Sequence, residues 1–132
     1  MPMTRPATLI AELSYQCPLH CPYCSNPLDI GGEAYRDELE TEHWLRAFEQ
    51  ARGLGVLQLA LTGGEPMLRR DLDELVAAGR EAGLYSTLVT AGTRFTREQQ
   101  ERAVAALKFK TEVLWAQLEA IERGDTQPQA PA

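Results

Sequence analysis

VLQLALTGGEPMLRRDLDELVAAGREAGLYSTLVT, running from Val56 to Thr90, is the stretch that decides the fold. Its opening, Val56 to Leu61, is apolar but for Gln58 and suits a largely buried strand. The run stops at Thr62-Gly63-Gly64-Glu65-Pro66, whose glycines and proline mark a turn that no regular element would tolerate. Asp71 stands where a helix cap is needed, Leu72, Leu75, Val76 and Ala78 follow at helical spacing, and Gly83 closes the helix. Leu84 to Thr90 then reads as another strand, ending at Ala91-Gly92. Strand, helix and strand in succession are the grammar of a parallel sheet with right-handed crossovers.

The pattern extends upstream. Thr8 to Ser14, TLIAELS, is a partly alternating apolar run and predicts a first strand. After an interruption at Gly31 and Gly32, Thr41 precedes a helical pattern of Trp44, Leu45, Phe48 and Ala51 that Gly53 or Gly55 would stop. In such α/β folds, ligands collect beyond the carboxyl ends of the strands. Two unusual segments lie at those ends: a cysteine-rich loop after the first strand and the glycine-rich turn after the second.

Downstream the character changes. Thr96 and Gln99 fit a capping box, and Val104, Leu107, Thr111, Leu114, Leu118 and Ile121 recur at alternating spacings of three and four along one long helix that Gly124 would end. The segment 125–132, with two prolines and two glutamines, has too little apolar matter to pack and is expected to be disordered. The expected organisation is a partial α/β domain over residues 1–95, an amphipathic helix over 96–124 and a disordered tail over 125–132. Trp44, Phe48 and Trp115 are expected as core anchors, and Arg69 and Arg70 as solvent-facing or helix-capping groups that could approach an acidic peptide.

Composition narrows the class without naming an activity. The chain has 132 residues, 44% of them apolar and 24% charged, near the averages for globular proteins. A net charge of −6 with no basic stripe argues against nucleic acid and against anionic membranes as partners. The start of the chain lacks the basic and apolar regions of a secretory signal, and no segment approaches membrane-spanning length, so the expected location is the cytoplasm.

All three cysteines fall within eight residues, an odd number that makes a poor disulfide framework and a plausible metal-thiolate site. Cys17, Cys21 and Cys24 follow C-x3-C-x2-C. Three thiolates can hold three irons of a cubane [4Fe–4S] cluster and leave the fourth open to the amino and carboxylate groups of a small molecule. The same residues are also consistent with a structural zinc site that takes His20 as fourth ligand. Gly63 and Gly64 offer unobstructed backbone groups, and Glu65 a carboxylate that could accept hydrogen bonds from an ammonium group. Alternatively, the turn is an ordinary strand-to-helix connection with Glu65 exposed and Pro66 starting a helix. A thiolate loop and an amino-group clamp side by side at one face of a parallel sheet form a more specific signal than either alone.

AELSYQCPLHCPYCSNPLD (Ala11 to Asp29) followed by LTGGEPMLRRDL (Leu61 to Leu72) resembles the radical SAM superfamily, and within it the peptide cyclases of coenzyme PQQ synthesis, from about Thr8 to about Gly92. The resemblance implies an incomplete, partial TIM-type (β/α) barrel, of which about three β/α units are readable here, with a long C-terminal helix. It implies cluster ligation by Cys17, Cys21 and Cys24, with S-adenosyl-L-methionine (SAM) held by Gly63, Gly64, Glu65 and Pro66 and its adenine near the backbone of Tyr23. One-electron reduction would then cleave SAM to methionine and a 5′-deoxyadenosyl radical that abstracts hydrogen from the substrate. By the same resemblance the substrate is a precursor peptide in which a Glu side chain is joined to a Tyr, brought by a small peptide-binding chaperone, with an electron donor such as a flavodoxin. The sequence assigns no catalytic acid or base. No cysteine follows Cys24 to carry auxiliary clusters, which makes a truncated product without turnover one alternative and a small zinc-binding or interaction module the other. Ala105 to Gly124 is weakly similar to the last helix of another protein of that pathway, the helical cofactorless oxidase called protein C.

Overall fold

A computed structural model describes residues 5–27, 29–33 and 37–123. The chain divides into two compact units, residues 1–93 and 94–132. In the first, β1 (Thr8–Ser14), α1 (Thr41–Gly53), β2 (Gln58–Gly63), α2 (Leu72–Glu81) and β3 (Tyr85–Leu88) alternate, with a 3-10 turn at Pro66–Leu68 between β2 and α2. The strands make one parallel sheet in the order β1-β2-β3.

Period-two alternation sorts the sheet into two faces. Leu9, Ala11 and Leu13 of β1 and Leu59 and Leu61 of β2 turn toward the helices, where Phe48 and Ala51 of α1 and Leu72 and Leu75 of α2 complete the core. Trp44 packs against this cluster, its ring centroid 6.1 Å from that of Phe48. On the opposite face Thr8, Ile10, Glu12, Gln58, Tyr85 and Thr87 are exposed. α1 and α2 also touch one another. Both helices therefore cover the same face, which is what successive right-handed crossovers between neighbouring strands produce.

Strand ends depart from the sequence reading for identifiable reasons. β2 starts at Gln58 because the Val56 N–H is taken by the Ala51 carbonyl at the end of α1, at 3.0 Å. It extends to Gly63, beyond Leu61, since Gly63 still pairs with Ser14 of β1. β3 begins after Leu84, whose N–H bonds the Gly79 carbonyl at 3.0 Å to finish α2, and ends before Thr90, whose hydroxyl turns to Glu65. Asp71 precedes α2 but makes no side-chain cap, its carboxylate being engaged by Arg69 and Thr41.

The second unit contains α3 (Arg97–Glu122), which opens on the expected capping box: Gln99 N–H donates to Thr96 Oγ1 at 3.2 Å and Thr96 N–H to Gln99 Oε1 at 2.8 Å. None of its residues is buried. Trp115, expected as a core anchor, is 64% exposed and donates from Nε1 to Glu119 one turn on. The 3–4 spacing that suggested burial is thus a property of the helix surface here. The expected disordered tail, 125–132, lies outside the described residues. Among those described, no helix is long and apolar enough to cross a membrane.

Candidate cofactor site

Because β1 and β2 are parallel neighbours, their C-terminal ends lie side by side, and the two unusual segments leave from them. They are joined by hydrogen bonds. Gly64 N–H donates to the Ser14 carbonyl at 2.6 Å, and Glu65 N–H to the Gln16 carbonyl at 2.7 Å. Asn26 Nδ2 donates to the Gly63 carbonyl at 3.2 Å from the far side of the cysteine loop. The glycines are a requirement of this approach: a Cβ on Gly63 would strike the Ser14 carbonyl oxygen, and one on Gly64 would strike that of Gln16 and lie 3.2 Å from Cys17 Cβ. Gly63 also has a φ of 138°, which side chains rarely adopt.

Cys17, Cys21 and Cys24 are all free thiols, the first two half-buried and the third exposed. A turn in which Cys24 N–H bonds the Cys21 carbonyl at 3.0 Å separates the last pair. A cavity of about 190 Å³ opens beside them, lined by His20, Cys21, Cys24, Asn26 and Ile30 among others. Tyr23 is 88% exposed. Among the described residues no three His, Cys, Asp or Glu side chains converge as ligands of one metal ion.

Glu65 is not the exposed residue of an ordinary strand-to-helix turn. It is 1% exposed, and its carboxylate is committed inside the protein. Oε1 accepts from Met67 N–H at 3.0 Å and from the Thr90 hydroxyl, and Oε2 from Ala91 N–H at 2.9 Å. It clasps the turn after β2 to the residues that leave β3. Pro66 is buried and opens the 3-10 turn rather than an α-helix.

Of the two arginines expected to face solvent or cap a helix, Arg70 is exposed and Arg69 is largely covered. The Arg69 side chain is 10% exposed and forks onto Asp71, Nε to Oδ1 at 2.8 Å and Nη2 to Oδ2 at 2.6 Å. This hydrogen bonding raises the Arg69 pKa and lowers that of Asp71 from 3.8 to about 2, against the opposing cost of desolvation. Asn26, Thr90, Glu38, Arg69 and Asp71 were not singled out as site residues. Only Thr90 had a usable signal, its place at the end of the third strand.

Residues 12–112 match the Radical SAM superfamily. The chain belongs to that superfamily. It is also 54% identical over 96 residues to a protein named PqqA peptide cyclase from Ruegeria pomeroyi, a stretch that covers 73% of this chain and 25% of that protein. The chain therefore spans about a quarter of the length of this curated relative. The radical SAM match continues past Gly92, where the sequence likeness was drawn to a close, and ends at Glu112 inside α3. The two joined segments thus fall within one radical SAM match, and the likeness to the Ruegeria protein covers 73% of the chain.

Proposed function

We propose that this chain binds a [4Fe–4S] cluster through Cys17, Cys21 and Cys24, and SAM beside Tyr23, Gly63, Gly64, Glu65 and Pro66, as the N-terminal part of a radical enzyme of PQQ biosynthesis. The observation that carries the proposal is the hydrogen-bonded junction between the cysteine loop and the glycine turn. It keeps the two halves of a ligand site within reach of one small molecule. The residue types fit the cluster: three free thiols offer one ligand to each of three irons and leave the fourth iron for an exchangeable ligand. Bound there, the cluster supplies the single electron that reductive cleavage of SAM requires.

The chain's own residues bind and orient. With Glu65 almost fully buried, the accessible part of the turn is the backbone of Gly63 and Gly64, and we assign the amino group of SAM to it. Glu65 holds that backbone in place through Met67, Thr90 and Ala91 and keeps one acceptor site on Oε2. The sequential strand order and the placement of both helices on one face support the partial TIM-type barrel, whose interior would be the face carrying Glu12, Gln58 and Thr87. The domain limits at 95 and 124 remain part of this proposal.

The name of the Ruegeria protein supports a precursor peptide as substrate. Joining a Glu side chain to a Tyr, presentation by a small peptide-binding protein, a flavodoxin-type electron donor and a cytoplasmic location rest on the sequence resemblance. Anaerobic reconstitution with iron and sulfide tests the core of the proposal. The expected result is about four irons per chain, lost in Cys17→Ala, Cys21→Ala or Cys24→Ala, with SAM binding measurable by calorimetry. Stoichiometric zinc in protein purified without oxygen, together with no SAM affinity, would favour the zinc module instead.

A further inference from the structure

β1 holds one residue more than β2 can pair. Glu12 lies opposite Thr62 and Ser14 opposite Gly63, which leaves Leu13 over. Leu13 is 1% exposed, so its carbonyl needs a partner inside the protein. Arg69 Nη1 supplies it at 2.8 Å and also reaches the Leu39 carbonyl at 3.1 Å, while the rest of the guanidinium grips Asp71. Glu38 Oε2 lies 3.9 Å from the same Nη1. Glu38 Oε1 in turn accepts from the Ser14 hydroxyl at 2.9 Å and from Tyr15 N–H at 2.8 Å. Asp71 Oδ2 accepts from Thr41 at 2.6 Å. One side chain thereby ties the segment leaving the glycine turn to the starts of α1 and α2 and to the last residues before the cysteine loop.

We propose that Arg69 is a positioning residue: it fixes the height and direction at which the cysteine loop leaves β1, and so aligns the cluster with the glycine turn. This rests on the cofactor reading above and adds to it a residue in neither motif. A planar fork with five donors makes these four hydrogen bonds from three nitrogens at once; a lysine ammonium, with three donors on one nitrogen, cannot match them. The two cofactors depend on this alignment unequally. Cluster assembly needs only the three thiols of the loop, whereas SAM spans loop and turn together. Loosening Arg69 therefore separates iron binding from SAM binding.

The test uses the full chain, anaerobically reconstituted, as wild type, Arg69→Lys, Arg69→Met and Asp71→Asn. Four readouts are taken: iron per chain, melting temperature without iron, SAM affinity by calorimetry, and the change in the paramagnetic resonance spectrum of the reduced cluster when SAM is added. Arg69→Lys and Arg69→Met are expected to keep their iron, weaken SAM binding about tenfold or more, and blunt the spectral change. Asp71→Asn moves the same two readouts in the same direction by a smaller factor. SAM affinity and spectrum unchanged in the Arg69 variants would overturn the proposal. Iron, SAM binding and melting temperature falling together would also overturn it, since a merely structural residue does that. If Arg69→Met does not fold, Arg69→Lys and Asp71→Asn decide by the same criteria. A wild-type chain that takes up no iron sinks the cofactor reading, and this inference with it, an outcome distinct from any variant pattern.

Discussion

Glu65 illustrates how a residue picked out for a ligand can also carry a structural duty that its sequence position does not announce. Its carboxylate takes three donors from Met67, Thr90 and Ala91, so it has a structural duty before any ligand arrives. An amide offers one oxygen and turns an NH2 toward one of those donors. Glu65→Gln should therefore cost about 1–3 kcal/mol of stability in the iron-free chain, read by urea denaturation. An unchanged midpoint would mean that the carboxylate serves a ligand only. Gly64→Ala is expected to push Gln16 and Cys17 away and lower iron uptake in reconstitution, with the sheet intact by circular dichroism. Cysteine spacing and paired glycines were legible because their chemistry is local. The burial of Glu65 and Arg69 was not, because Ala91 lies 26 positions and Leu13 56 positions away along the chain.

Among the elements, periodicity found the three helices and three strands, and it failed where a neighbour's hydrogen bond sets the boundary, as at Val56 and Leu84. Nor can a 3–4 stripe say whether it is covered. Phe48 and Trp115 both sit at helical apolar positions, yet one is fully buried and the other 64% exposed. Phe48→Ala should cost about 3–5 kcal/mol by emptying a core site. Trp115→Ala should change stability by no more than about 0.5 kcal/mol, as exposed substitutions do. Equal losses in a pair of urea titrations would contradict the burial described for α1 and α3.

For the molecule as a whole, acid stability follows from the Arg69–Asp71 pair. Asp71 titrates at about 2 when folded against 3.8 ordinarily, so its contribution is complete above the higher value and is lost as the pH falls toward the lower. Arg69 stays protonated throughout and adds no pH dependence. The urea midpoint should decline between about pH 4 and pH 2, and Asp71→Asn should flatten that decline; identical acid profiles would remove Asp71 as a source. The parallel α/β architecture and the superfamily were legible in two short motifs, whereas the junction between them depends on strand register, which no spacing rule gives. That register carries a last consequence. Alternation along β1 breaks at its end, where Leu13 and Ser14 are buried in succession. The surplus residue works like half a rotation of a key. A chain shortened by one position there would reverse the side of the sheet toward which the segment after β1 departs.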